Sequence, residues 1–449
     1  MSPRRLRRGA VVLGGVALAA LACVQEPTSP AQCPAFCPGG RLTTVESLLA
    51  TSIQRDSSFQ GYVAAHQANL LLAAELPGIA SRPIFETLPI ATRALIDTGT
   101  DTTTGPIVLD SMRLTLTMLR RSAGARNIRL AFYQVPLGID STTTLASLAP
   151  SFAAAPLRVV NVDSLVTLPA RRDSVTGDSV LSVDSVRNAL TVRLTFTAAQ
   201  IPFSEADSGK LGIGISVSAD SVASVAFESN RLGAGPQTVW FARVDSAGVI
   251  VKPDSLPHAF PVSQQRGVRF NSFVFDTPPL TLDSNLTIGG VPSIRALLRI
   301  ALPRVLRDSS RIIRATLLLV PTGAAPVTTP DSVFVEARRV LTDLGAKSPI
   351  VPDTFVAVSS VFRGIPADTV RIEMTNFFRL WQLDTTAVTA VYLSLLALDR
   401  VDSTRLTGFE LVRFDSRSFD APRFFSSRSP AFRPAIRLTF VRHLQFGAP

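Results

Sequence analysis

Short runs in which apolar and polar residues alternate with period two recur along most of this chain. Examples are SMRLTLTM (111–118), NIRLAFYQV (127–135), ALTVRLTF (189–196), KLGIGISVS (210–218), IIRATLLLV (312–320), SVFVEARRV (332–340) and IRLTF (436–440). Alternation sends successive side chains to opposite faces, so each run predicts a strand with one buried face. Asp, Ser, Thr, Gly and Pro separate the runs and supply turns. Long helical periodicity is scarce. The exception is YVAAHQANLLLAAEL (62–76), whose residue preferences alone predict a helix.

The two halves repeat one another. VRLTFTAAQIPF (192–203) and VRIEMTNFFRLW (370–381) align without a gap, pairing Thr197 with Thr375 and Phe203 with Trp381. A strand-like run follows each, GKLGIGISV and then AVYLSLLAL. FESNRLGAGPQTVWFARV (227–244) next matches the stretch from Phe425 onward in a Phe, a Ser and an Arg, with Pro236 opposite Pro434 ahead of a final strand. Upstream, LPGIASRPIFETLP (76–89) parallels VPSIRALLRIALP (291–303). A constant order of matching segments marks an internal repeat. By that parallel the 62–76 segment holds a strand, against its helical propensity.

Each copy has the size of an antiparallel sandwich of about eight to ten strands. The expected fold class is therefore all-β, with two tandem antiparallel, jelly-roll-like β-sandwiches at 43–250 and 266–445. Prolines and polar residues in GVIVKPDSLPHAFPVSQQ (248–265) interrupt the pattern and set the boundary between them. PARRDSVTGDSVLSVDSVRNA (169–189) reads as an insertion in the first copy with a short hairpin of its own.

The first 23 residues, MSPRRLRRGAVVLGGVALAALAC, have the basic start, short apolar run and small residues of a signal peptide. The ending ALAC resembles the lipobox of bacterial lipoproteins, which implies cleavage before Cys23 and lipid attachment to it; plain secretion after the ALA triplet is the alternative. Residues 24–42, rich in Pro, Ser, Gln and Gly, read as a flexible stalk. Cys33 and Cys37 are the remaining cysteines, and an exported chain favours a disulfide between them. These features point to the cell envelope, with the protein held to a membrane by lipid and exposed to the periplasm or the cell surface.

Composition changes the picture at two points. Hydrophobic residues make up 46% and charged residues 18%, which excludes a disordered chain. The net charge of +11 suggests nucleic acid, but Arg4, Arg5, Arg7 and Arg8 lie in the signal segment, and removing them leaves 11 − 4 = +7. The other arginines stand singly between apolar neighbours, the pattern of a solvated sheet face, so no nucleic-acid partner is expected.

In the second copy SIRALLRIALP, RIIRATLLLVP, VRIEMTNFFRLW and FFSSRSPAFRPAIRLTF together resemble the DNRLRE-domain family, a jelly-roll group of extracellular proteins related to carbohydrate-binding modules. Met374, Thr375 and Trp381 match the family's segment before a tryptophan, and the Phe-Ser-Ser stretch, the Arg-Pro step and the last strand match its ending. The resemblance covers 271–441 directly and 57–244 through the repeat. It implies polysaccharide binding, although TDLGAKSPIVPDTFVAVSS (342–360) stands where the family carries a tryptophan- and asparagine-rich portion. Trp381, opposite Phe203 in the repeat, is expected in the core.

Catalytic patterns are missing from the sequence. His66, His258 and His443 are scattered, with no nucleophile elbow, metal-binding spacing or phosphate loop nearby. Most of the 25 aspartates sit in Asp-Ser or Asp-Thr steps that cap turns, and such turns could also hold structural calcium; no other cofactor and no metal centre is expected. The expected function is a non-catalytic surface lipoprotein carrying tandem binding modules. Its rivals are an envelope assembly protein and a glycoside hydrolase or lyase using loop carboxylates. No ligand-binding residue is singled out, and Arg428 and Arg433 are expected to position a loop.

Overall fold

The computed structural model describes residues 44–442 except 51–52, 61–63, 69, 98–101, 123–124, 185–188, 232–234, 247–248, 252–265, 277–284, 292, 324–332, 349–356, 359–368, 385 and 398–420. The strands are β1 (Thr44–Leu49), β2 (Ile53–Gln60), β3 (Leu70–Leu76), β4 (Ile79–Thr87), β5 (Arg93–Asp97), β6 (Thr102–Arg121), β7 (Arg129–Val135) and β8 (Arg158–Asn161). There follow β9 (Ser179–Asp184), β10 (Ala189–Thr197), β11 (Gly212–Ser218), β12 (Ala223–Glu228), β13 (Gln237–Ser246), β14 (Val249–Val251), β15 (Val268–Asp276) and β16 (Asn285–Thr287). The last are β17 (Ile294–Ile300), β18 (Ser310–Leu319), β19 (Val333–Arg339), β20 (Ala357–Val358), β21 (Val370–Glu373), β22 (Ala390–Ala397), β23 (Arg423–Phe425) and β24 (Ala435–Arg442). The fold is all-β and antiparallel, as the alternation requires.

In the first sandwich one sheet runs β14-β13-β6-β12-β3-β4-β11-β7-β8, with β10 and β5 on β6, β9 on β10 and β15 on β4. The 20-residue β6 changes partners along its length, which lets the sheet fold over a single core. Phe85, Leu114, Phe132, Leu194, Phe196, Ile213 and Phe227 meet there, all essentially without solvent contact. The second sandwich packs β1-β24-β18-β21 and β2-β17-β22-β19-β20 around Leu298, Leu317, Ile372, Phe377, Trp381, Phe424 and Leu438.

The segment expected to be a strand on the repeat's evidence, against its helical propensity, contains β3. Leu71 and Ala73 face the main core, while Leu70, Leu72 and Ala74 pack against Phe273 and Val291. A strand buried on both faces loses its alternation, which is why LLLAA imitates a helix. Within the insertion Arg172 bridges Ser179 in a short antiparallel turn, and β9 then continues by pairing with β10.

Strand pairing departs from the expected domain limits. β1 and β2 fall within 43–250, yet β1 pairs with β24 and β2 with β17, both in the second sandwich. β15 falls within 266–445, yet it pairs with β4 in the first. The Pro-rich break at 248–265 interrupts the hydrophobic pattern without marking where partners change. Each sandwich needs one further strand beside β4 or β17. The first receives it from its C-terminal side, the second from the beginning of the described chain.

Candidate functional site

The repeated closing segment is built on one local design. In the first sandwich Phe227 is buried, and the Ser229 hydroxyl donates to the Ala68 carbonyl (2.7 Å) and accepts the Arg231 N–H (3.2 Å). In the second, Phe424 is buried and the Ser426 hydroxyl accepts the Arg428 N–H at 3.2 Å. The structural match is thus Phe227 with Phe424, one residue earlier than the sequence alignment on Phe425.

The residue between serine and arginine is tied to the closing strand in both copies. The Asn230 N–H donates to Asn271 Oδ1 on β15 at 3.2 Å. The Ser427 N–H donates to Asp56 Oδ2 on β2 at 2.6 Å, and the Ser427 hydroxyl donates to Asp56 Oδ1 at 2.9 Å. Asp56 and Asn271 are both buried, opposite the core residues Leu298 and Phe85. Sequence reasoning missed both. The signal was a polar residue followed by serine and, soon after, phenylalanine: Asp56-Ser57-Ser58-Phe59 and Asn271-Ser272-Phe273.

Beyond the shared arginine the loops diverge. In the first sandwich Gly235 lies so close to Asn230 that a Cβ there would meet Asn230 Oδ1 at 2.2 Å. In the second, the Arg433 guanidinium donates to the Ser429 carbonyl at 2.8 Å and the Phe432 N–H donates to the Ser429 hydroxyl at 3.3 Å. Arg433 thus holds its own loop together, as expected for a positioning residue. Phe432 is 52% exposed, and its ring lies 5.2 Å from that of Phe425 at 37°. Arg428 is exposed in the same loop. Pro434 then enters β24, whose Ile436, Leu438 and Phe440 all face the core.

Other singled-out residues are structural. Trp381 is buried against Phe377 and Phe378, and Phe203 packs on Trp240 in the first sandwich. Asp140, Asp173 and Asp384 are turn caps: each accepts a backbone N–H and a threonine hydroxyl from the next few residues. Those bonds, threonine hydroxyls foremost, hold all three carboxyls below the ordinary aspartate range. Buried Glu86 receives both ends of the Arg269 fork (2.6 and 3.0 Å) and the Gly138 N–H (2.8 Å). Burial pushes its pKa up, but these donors outweigh it and the net shift is downward. Asp178 is buried with Arg158 and accepts the Thr195 N–H at 2.9 Å.

Cys23, Cys33, Cys37, His258 and His443 lie outside the described residues, and His66 sits half-buried in a short turn two residues before Ala68, whose carbonyl accepts the Ser229 hydroxyl. Among the described residues no group of three or more His, Cys, Asp or Glu side chains could hold a metal ion. No helix among them is long and apolar enough to cross a membrane.

No family model matches the chain, and no curated protein matches it in sequence. Among solved structures it is similar to the N-terminal CBM22-1–CBM22-2 tandem domain of Xyn10C from Paenibacillus barcinonensis. The identity is 7%, the TM-score is 0.16, and the match covers 90% of this chain and 99% of that one. The DNRLRE resemblance therefore rests on the residues quoted above.

Proposed function

We propose that this protein is a non-catalytic, lipid-anchored envelope protein whose second sandwich binds polysaccharide through the loop Ser426–Arg433. The exposed Phe432 ring, braced by Phe425 in a loop that also exposes Arg428, carries this reading. A sugar ring offers apolar C–H faces to an aromatic and hydroxyls to a guanidinium, and the loop presents both. The first copy has no counterpart to Phe432, as expected if the shared residues serve the fold and the divergent ones serve the ligand.

Placement supports the same reading. β1 runs antiparallel to β24 with Thr44 opposite Val441, so the stalk joins one end of this ladder and the loop leads into the other at Ala435. A strand of that length separates them by roughly 20–25 Å. Anchored at Cys23, the sandwich would carry its loop away from the membrane. The non-catalytic part of the reading is supported by the employment of Asp56, Glu86 and Asp178, whose carboxylates are committed to arginines, a hydroxyl or backbone N–H groups.

The test is a glycan array probed with the protein and with Phe432→Ala and Arg428→Ala. Retention of at least one polysaccharide, weakened about tenfold or more by either substitution, is expected, since one lost ring or guanidinium contact is worth about 1–2 kcal/mol. Absence of any glycan ligand, or binding indifferent to both substitutions, refutes the assignment. Membrane release of Cys23→Ala in cell fractionation tests the anchor separately.

A further inference from the structure

At the end of the second sandwich where the stalk enters, the helix Arg304–Asp308, the helix Thr375–Leu383 and the start of β18 form one surface. Gln382 ties them together by donating to the carbonyl of Ser310 (2.8 Å) and to that of Leu306 (2.5 Å). Arg379 reaches across to the carbonyls of Ile312 and Ile313.

Two kinds of side chain project from this surface. Val305, Ile313 and Leu383 are apolar and 54%, 43% and 84% exposed. Among them stand the exposed Arg304 and Arg311, which make no ion pair with any described residue. Of the carboxylates on the same helices and strands, Glu373 is paired with Arg314 and Asp384 caps its own turn on Thr386. Asp308 stands against Arg304, Arg307 and Arg311, so the surface carries a net positive charge.

We propose that this surface docks on an anionic lipid bilayer. Apolar tips interleaved with unpaired arginines suit the headgroup boundary, where the tips enter the acyl edge and the guanidinium groups meet phosphates. A protein–protein contact would place charges at the rim and exclude them from its centre. Position agrees with charge: Thr44 faces Val441, and Val441 faces Arg311, so the stalk joins the fold two strand spacings, about 10 Å, from the patch. The tether read from the sequence, residues 24–42, would reach roughly 25 Å as an unstructured chain. The proposal uses the anchor at Cys23 only for this proximity, and it would make the patch the second signal that lipid-held proteins need for stable membrane residence.

The experiment is vesicle co-sedimentation of the full chain carrying Cys23→Ala, so anchoring and docking can fail independently. Vesicles of phosphatidylcholine are compared with vesicles that also contain phosphatidylglycerol, with Trp381 fluorescence confirming the fold of every variant. We expect partitioning to favour the anionic vesicles at least tenfold and to fall with added salt. The double substitution Arg304→Glu and Arg311→Glu should remove about tenfold or more, at about fivefold per arginine near a charged surface. Val305→Ser with Leu383→Ser should remove several-fold, and Arg129→Glu on β7 of the first sandwich nothing. No preference for phosphatidylglycerol, equal loss in Arg129→Glu, or tighter binding to soluble heparin than to vesicles would overturn the proposal.

Discussion

The two sandwiches carry the same closing design with different chemistry and different sources for the closing strand. In the first, a neutral amide, Asn271, on a strand that follows its sandwich in the chain, accepts one hydrogen bond of 3.2 Å from the Asn230 N–H. In the second, a carboxylate, Asp56, on a strand lying more than two hundred residues before its partner β17, accepts two shorter bonds from the Ser427 N–H and hydroxyl. The long-range closure has the stronger latch. Loop entropy grows with the logarithm of separation, so closing across the intervening sandwich costs only a little more than closing nearby. A charged, doubly bonded latch exceeds that increment.

The most severe way to break the comparison is to remove residues 44–60. β1 supplies a whole edge to β24, and β2 supplies one to β17 together with Asp56. We expect the second sandwich to lose its cooperative transition, about 5–15 kcal/mol of stability, while the first is retained. The chain has two tryptophans, Trp240 in the first core and Trp381 in the second, so each sandwich reports on itself. Loss of the Trp381 transition with the Trp240 transition intact is the expected record in urea. A deletion variant that keeps both would show that the strand exchange is dispensable.

These contrasts also show how much the sequence disclosed. Strand content and the repeat were legible because period-two alternation is local and survives in almost every run, from Met112–Met118 to Ile436–Phe440. β3 was legible only through the repeat, since Leu70–Ala74 are buried on both faces and carry no alternation. The exchange of β1, β2 and β15 was not legible. Either sandwich offers a suitable edge, and the choice depends on partners such as Ser427 for Asp56, 371 positions apart. The candidate loop was half visible: its Phe, Ser and Arg were read as a domain ending, but nothing local distinguished buried Phe424 from Phe425, which lies against exposed Phe432.

A milder perturbation compares the latches directly. Asp56→Ala leaves the half-buried Ser427 N–H and hydroxyl without their acceptor and should cost the second sandwich about 2–3 kcal/mol. Asn271→Ala removes a single long, neutral bond and should cost the first about 1–2 kcal/mol. Urea midpoints read from Trp381 and Trp240 give both values. If the asparagine substitution proves the more damaging, hydrogen-bond number and charge do not govern closure.

Acid sharpens the comparison with the smallest effect. Glu86 in the first sandwich accepts three donors, and their combined pull leaves its pKa lowered despite burial. In the second, the Arg299 fork lowers the Asp343 carboxyl, burial opposes it, and the Gly345 N–H adds to the lowering. A carboxylate whose folded pKa is depressed contributes its stability fully above its unfolded value, about 4.3 for Glu and 3.9 for Asp. That contribution is lost as pH falls through the lower, folded value. Both sandwiches should therefore be flat from neutrality to roughly pH 5 and weaken below it. The first should weaken more, because the Glu86 carboxylate is itself fully buried and must be protonated out of solvent, even though its partner Arg269 is 47% exposed, whereas Asp343 is 27% exposed. Glu86→Gln should cost the first sandwich about 2–3 kcal/mol at pH 7 and flatten its acid limb, leaving the Trp381 transition untouched. If the Trp240 transition of that variant stays as acid-sensitive as before, the acid response belongs to other carboxylates and the Glu86–Arg269 pair holds no special place in the first sandwich.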